Sequence, residues 1–252
     1  MSLSGRVALV TGGSRGIGRA ISLALASDGA DIAVNYRKDV DSAQATVAEI
    51  QALGQKAACF QASVADWDQD VAMVAAVLAE FGHIDILINN AGVASRGQSV
   101  ADTDPAEMER VVRTHAFAPH YLSKLVLPSM RARERGDIIM ISSAATRYFA
   151  GYGGPYNMGK AAMEALAFTL ASEERRNGIH VNIVAPGLVE TDMGRRLVKA
   201  TQGVDDLRKL DSTMPFGHVC QPEEIADTVR FLVSGAARYV TGQRIYVDGG
   251  GA

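Results

Sequence analysis

Arg6-Val7-Ala8-Leu9-Val10-Thr11 runs directly into Gly12-Gly13-Ser14-Arg15-Gly16-Ile17-Gly18, and this stretch decides the fold. A short apolar run that ends in glycines reads as a buried strand meeting a tight turn. The apolar spacing over residues 17–27 then suits a helix, closed by Gly29. Glycines in such a turn let the backbone approach a pyrophosphate, and the helix N-terminus behind them favours negative charge. The spacing here is Gly-x-x-x-Gly-x-Gly rather than the usual Gly-x-Gly-x-x-Gly, so a turn that only packs stays open.

The same alternation continues along the chain. Strands are predicted at 31–36, 56–62, 84–89, 137–142, 180–184 and 244–247, and helices at 42–53, 68–81, 156–177 and 222–233. Asp104-Pro105-Ala106-Glu107 combines an N-cap, a proline at the first helical position and a capping-box glutamate, opening a helix to about Met130. Strands that are apolar throughout, separated by helices, imply a parallel sheet covered on both faces. The expectation is an α/β, Rossmann-type, doubly wound seven-stranded parallel sheet, with its ligand crevice at the carboxyl ends of the strands. No linker or repeat interrupts residues 1–252, which are read as one domain. The long irregular stretch 191–221 sits where a substrate lid would.

Composition narrows the function classes. The net charge of −3, with both signs scattered, argues against a nucleic-acid binder. Two cysteines, Cys59 and Cys220, are too few for a disulfide framework and fit a reducing compartment. The longest uncharged apolar run, residues 71–79, is about half of what spans a bilayer. No apolar leader follows Met1, so a cytoplasmic protein is expected. The five histidines show no metal-ligand spacing, and no metal is expected.

Tyr156-Asn157-Met158-Gly159-Lys160 places a phenol and an ammonium on one helix face. A free phenol, with a pKa of ~10, is a poor acid–base group at neutral pH. Lowering it by ~3 units takes about 4 kcal/mol of preference for the phenolate, within reach of a close lysine in a dry site. Tyr148 and Tyr152 are followed four residues on by tyrosines, so only Tyr156 has the lysine.

Together, TGGSRGIG (11–18), NNAG (89–92), ISS (141–143), YNMGK (156–160), PGLVET (186–191) and DGG (248–250) resemble the short-chain dehydrogenases/reductases over essentially the whole chain. The resemblance implies an enzyme that interconverts a ketone and a secondary alcohol by hydride transfer to or from a nicotinamide cofactor. It implies that Ser143, rather than its neighbour Ser142, holds the substrate oxygen, that Tyr156 gives or takes the proton, and that Lys160 lowers the tyrosine pKa while holding the nicotinamide ribose. The pyrophosphate end would lie against Gly12, Ser14, Arg15, Gly16, Ile17 and Gly18, with Asn90 bracing the pocket beside Ala91 and Gly92. Pro186, Gly187, Leu188, Val189 and Thr191 would line the nicotinamide end. Tyr36, Arg37, Ser63 and Val64 would surround the adenosine.

The second strand ends Asn35-Tyr36-Arg37, without the acid that takes a ribose 2′-hydroxyl in NAD enzymes. Arg37 and Arg15 can instead clamp a 2′-phosphate, so NADP(H) is preferred, with NAD(H) as the alternative. Two positions depart from the family pattern. Ser63 stands where an aspartate usually meets the adenine. His115 stands where a catalytic asparagine is usual, and it reads as a replacement proton relay, a packed bystander or an impaired site. With an ordinary pKa near 6.5, it would titrate in the assay range.

The resemblance also implies a small carbonyl or alcohol as the substrate. Residues 11–18 and 241–250 resemble the 3-oxoacyl-[acyl-carrier-protein] reductase group, which implies a carrier-protein- or CoA-linked thioester. Arg131, Arg133, Arg135, Arg175, Arg176 and Lys199 could form the basic rim such a carrier needs, or could be solvated helix ends. Tyr148, Phe149 and Tyr152 add aromatic bulk that suits a compact cyclic, sugar or xenobiotic ketone equally well. The reading from another class is a non-catalytic NADPH sensor or scaffold, which only His115 favours. Between residues 161 and 171 only Glu164 is charged, so this helix is apolar nearly all round and a homo-oligomer is expected, which the family resemblance implies is a homotetramer.

Overall fold

A computed structural model describes residues 2–250. Seven parallel strands form one sheet in the order β3-β2-β1-β4-β5-β6-β7. They are β1 (Val7–Val10), β2 (Asp31–Tyr36), β3 (Ala57–Gln61), β4 (Ile86–Asn89), β5 (Gly136–Ile141), β6 (Ile179–Pro186) and β7 (Arg244–Val247). The helices are α1 (Gly16–Ser27), α2 (Val40–Ala52), α3 (Trp67–Phe81), α4 (Pro105–Val112), α5 (Ala118–Arg131), α6 (Ala145–Tyr148), α7 (Gly154–Glu174), α8 (Asp192–Gln202) and α9 (Pro222–Val233). This is the doubly wound architecture expected, and the strand order reverses between β1 and β4, where such sheets bind ligands.

Both faces of the sheet are covered because successive side chains of each strand point to opposite sides. Ala8, Val10, Ile32, Val34, Ile86 and Ile88 pack with Ile21 and Leu25 of α1 and Ile225, Val229 and Leu232 of α9. Leu9, Ala33, Leu87, Ile138 and Met140 pack with Met73 and Val77 of α3, Leu122 and Val126 of α5 and Met163 and Leu170 of α7. Each fully buried aliphatic side chain contributes about 1.5–3 kcal/mol, so the strands need no special propensity to hold this order.

Two segments differ from their sequence reading. The helix opened by Pro105 does continue to Arg131, but residues Arg113–Phe117 form a π-helical turn between α4 and α5. Such single wide turns concentrate at functional sites, and this one carries His115. The stretch 191–221 is not irregular: it holds α8 and two 3₁₀ turns, Leu207–Thr213 and Pro215–Gly217. Val198, Leu207 and Val219 form a small apolar cluster of their own there, with Leu188, Leu210 and Met214 against it. The polar sequence of α8 hides its period, since only Gly194 and Val198 are buried.

Candidate active site

The crevice at the strand order reversal is built by polar residues that end apolar strands. Thr11 Oγ1 donates to the Ile88 carbonyl at 3.0 Å and accepts from the Asn90 and Ala91 amides, each at 2.9 Å. Asn90 Nδ2 returns a bond to the Thr11 carbonyl at 2.8 Å, so β1 and β4 are stitched together just past their ends. Asn35, buried at the end of β2, accepts from the Gly12 amide through Oδ1 at 3.1 Å, and its backbone carbonyl accepts from the Gly13 amide at 2.9 Å. Neither Thr11 nor Asn35 stood out as a site residue in the sequence, although a polar side chain in an otherwise apolar strand end was the available signal.

The glycine turn is held by these contacts in a shape that other residues could not take. Gly16 has φ 52°, and a Cβ on Gly18 would sit 2.2 Å from the Gly12 carbonyl oxygen. The turn delivers the chain into α1 with no side-chain cap and no acidic residue in the first turn. By contrast α2, α3, α4 and α8 are capped by Asp39, Asp66, Asp104 and Thr191. An open helix N-terminus behind a glycine turn fits a pyrophosphate. Arg15 and Arg37 are exposed at this edge and form no ion pair among the described residues, which fits a further phosphate nearby. Ser63 lies past β3 and its amide donates to Gln69 Oε1 at 2.8 Å, while Val64, next to it, is buried. The strand β6 ends at Pro186, and the Gly187 amide donates to the Val247 carbonyl at 3.0 Å. Beyond Leu188 and Val189, Thr191 caps α8 by accepting from the Gly194 amide at 3.0 Å, and its methyl lies against Gly16.

Ser143, Tyr156, Lys160 and His115 converge between the end of β5 and the start of α7. Lys160 is buried, and its Nζ donates to the Ile141 carbonyl at 2.6 Å and lies 5.7 Å from the Tyr156 ring centre. Burial pulls its pKa down to about 7, opposed by the negative charge of Glu164. Burial pushes the Tyr156 phenol above its ordinary value, and the Ser143 side chain pulls it back. Ser142 is buried, and its Oγ donates to Glu164 Oε1 at 2.6 Å.

His115 is 1% exposed and meets the Tyr156 ring edge-on at a centroid distance of 5.1 Å. Its Nε2 lies 2.8 Å from the Val93 carbonyl, which requires the proton on Nε2 and leaves Nδ1 as an acceptor. Nδ1 has no partner among the described residues. Glycines make room for the ring: a Cβ on Gly92 would lie 2.8 Å from Cε1, and one on Gly159 would lie 2.8 Å from Cβ. The expectation that His115 titrates in the assay range is overturned. Burial, with Lys160 adding to it, drives its pKa down to about 3, so the imidazole stays neutral.

The basic rim also reads differently. Arg131 is bound to Glu174, Arg133 Nε donates to Asp85 at 2.9 Å, and Arg135 Nη2 donates to Asp137 at 2.8 Å. Arg133 and Arg135 thus sit at the amino ends of the strands, opposite Tyr156 within the chain. Lys199 pairs with Asp205 at 2.9 Å. Phe149 and Tyr152, at φ 48° and 63°, remain exposed on the loop between Ser143 and Tyr156.

Residues 12–251 match the family described as enoyl-(acyl carrier protein) reductase. The 3-oxoacyl-[acyl-carrier-protein] reductase FabG of Staphylococcus aureus is 38% identical over 248 residues, covering 96% of each chain. The chain belongs to the short-chain dehydrogenase/reductase family. Among solved members, a short-chain dehydrogenase from Burkholderia cenocepacia in complex with NADP is 35% identical, with a TM-score of 0.89 over 99% of both chains. A 7α-hydroxysteroid dehydrogenase complexed with NADH and 7-oxo glycochenodeoxycholic acid is 31% identical, with a TM-score of 0.91 over all of this chain and 96% of that one. As a member of this family, the protein is an oxidoreductase acting on CH–OH groups, and the strand order and the crevice are those of the short-chain dehydrogenases/reductases.

Proposed function

We propose that this short-chain dehydrogenase/reductase reduces a carbonyl to a secondary alcohol, and the reverse, with NADP(H). The observation that carries the reading is the convergence of Ser143, Tyr156 and buried Lys160 at the end of the crevice that starts at the glycine turn. When bound, the nicotinamide supplies or takes the hydride. The open N-terminus of α1 and the glycine turn receive the pyrophosphate, and Arg15 and Arg37 receive a 2′-phosphate. Ser143 Oγ and the Tyr156 hydroxyl hold the substrate oxygen, and Tyr156 delivers the proton to it as the alcohol forms. The Lys160 ammonium, fixed by the Ile141 carbonyl, favours the phenolate left on Tyr156. His115, neutral and proton-bearing on Nε2, orients the ring of Tyr156 and offers Nδ1 as an acceptor toward this site. Residues 191–221 act as the lid over the bound substrate.

A 3-oxoacyl thioester is the substrate class proposed, supported by the identity to the Staphylococcus aureus reductase. A compact ring ketone is the second reading, favoured by exposed Phe149 and Tyr152 and by the engagement of Arg131, Arg133 and Arg135 in ion pairs. The protein is proposed to work in the cytoplasm as a homotetramer, because Met158 and Phe168 stay exposed on α7.

The test is NADPH oxidation with an acetoacetyl thioester, a cyclic diketone and an open-chain sugar, in the wild type and in Tyr156→Phe. The variant should still bind NADPH and lose ~10²–10⁴ in kcat, the range for a general acid. Retention of more than about a tenth of wild-type kcat overturns the role of Tyr156. NADPH binding without turnover of any carbonyl would favour a sensor.

A further inference from the structure

Glu164 lies one helical turn beyond Lys160 on α7 and is buried. A buried carboxylate costs several kcal/mol unless its oxygens are matched, and these are. Oε1 accepts from Ser142 Oγ at 2.6 Å and from Thr146 Oγ1 at 2.8 Å, and Oε2 accepts from Arg244 Nη1 of β7 at 2.6 Å. Lys160 meanwhile holds the Ile141 carbonyl. Two side chains of one helix, a turn apart, therefore grip the chain at 141, 142 and 146. Between those points stands Ser143, whose carbonyl accepts from the Thr146 amide at 3.1 Å and lies 2.8 Å from Thr146 Oγ1, whose single proton it shares with Glu164.

We propose that Glu164 is a positioning residue for the reaction: it fixes the turn that presents Ser143 and, through its charge, keeps Lys160 in the ammonium form, with Arg244 tempering that effect. Several elements bring charged or titratable groups toward Lys160. Its own helix supplies Tyr156 and Glu164, and the π-helical turn supplies His115, which is neutral. Packed on α7, α4 carries Arg110, whose charge is felt at the neighbouring His115. The end of β5 supplies only the Ile141 carbonyl, and β7 supplies Arg244. From α6, Arg147 turns instead to the Tyr246 ring, 3.9 Å away, and to Asp248. With burial pulling the ammonium down to about 7, the Glu164 charge one helical turn away opposes that pull and raises the charged fraction of Lys160 near neutrality.

The inference rests on the reading that Tyr156 and Lys160 carry the reaction, and the test separates the two. The pH profile of kcat/KM, with saturating NADPH, is measured in the wild type, Glu164→Gln and Arg244→Met, and the Lys160 Nζ titration is followed by NMR in the cofactor-free proteins. Removing the carboxylate charge should shift the basic limb and the Lys160 titration to lower pH by about half a unit or more. Removing the arginine charge should shift both to higher pH. A residue that only held the turn would change kcat and move neither. If Glu164→Gln does not fold, Arg244→Met and its NMR titration decide, since Arg244 is on the sheet edge and partly exposed. Coincident Lys160 titrations in all folded variants overturn the inference. Shifted titrations in an enzyme whose activity survives Tyr156→Phe would overturn the catalytic reading and leave the electrostatic role of Glu164 standing.

Discussion

The two ends of the sheet differ in how much buried charge is left unmatched: both hold matched carboxylates, Asp137 at one and Glu164 at the other, but only the carboxyl end also buries polar groups with no charged partner. At the amino end, Asp137 is fully buried between Arg6, at 2.7 Å, and Arg135, at 2.8 Å. Asp85 beside it is held by Arg133 at 2.9 Å and by His83 at 3.1 Å. At the carboxyl end, Lys160 leans on a carbonyl and His115 leaves Nδ1 unmatched. Asp70, in the first turn of α3 on that side, has neither oxygen matched. Matched charge pins the strands together. Burial without a matching charge disfavours the charged form: Lys160 falls to about 7 and Asp70 rises to about 8, so both titrate near neutrality, while His115 falls to about 3 and stays uncharged.

The strongest way to break this contrast is at the amino end. Asp137→Ala strands two guanidinium groups and should cost about 3–5 kcal/mol in urea unfolding, while kcat of the folded fraction stays near wild type. A large loss of kcat with unchanged stability would abolish the division between the ends.

The next effect is on pH. Burial raises the Asp70 pKa from 3.8 to about 8, so the folded state keeps a proton that the unfolded chain loses above about pH 4. Stability should therefore fall as pH rises from about 4 to 8, by at most about 1.4 kcal/mol per unit from this group. Asp70→Asn should flatten that slope, and an unchanged slope would show the carboxyl to be matched after all.

Smaller again is the cofactor edge, where Arg15 and Arg37 form no ion pair among the described residues. NADPH should be preferred to NADH by about tenfold or more, and Arg37→Asp should erase or reverse the ratio of KM values, a change of about 1.4 kcal/mol. Equal KM values in the wild type would remove Arg37 from the site. The smallest expected effect belongs to His115. With its pKa near 3, it should impose no acid limb near pH 6, and the kcat profiles of the wild type and His115→Asn should run parallel between pH 5.5 and 8. A limb that disappears only in His115→Asn would mean the imidazole is charged there.

The sheet was legible in the sequence because parallel strands buried on both faces are apolar along most of their length. The amino end was not, since Arg133 and Arg135, offered as a basic rim, are bound to Asp85 and Asp137. Residues 31–36 and 244–247 are strands with the bounds expected. The carboxyl end was legible only in part. Ser143, Tyr156 and Lys160 were found through the family resemblance, and the structure brings them together. The π-helical turn has no pattern of its own, so nothing in residues 113–117 announced that His115 would be turned inward and neutral. Glu164 is the one charge between residues 161 and 171, but its role is not legible there, because spacing along α7 does not reveal the serine, threonine and arginine that meet it from three other segments. The polar composition of α8 likewise concealed a helix.

The partner of Glu164 on β7 also sets a timetable. Arg244 is the eightieth residue after Glu164, and β7 pairs only with β6. A chain emerging from the ribosome can assemble the first six strands and both faces of the core while that carboxylate still has no arginine. Glu164 can hold Ser142 and Thr146 before β7 is in place, but its second oxygen is matched only when that strand has been added at the sheet edge. The bracing of the turn that carries Ser143 is thus completed by the edge strand and not by its neighbours.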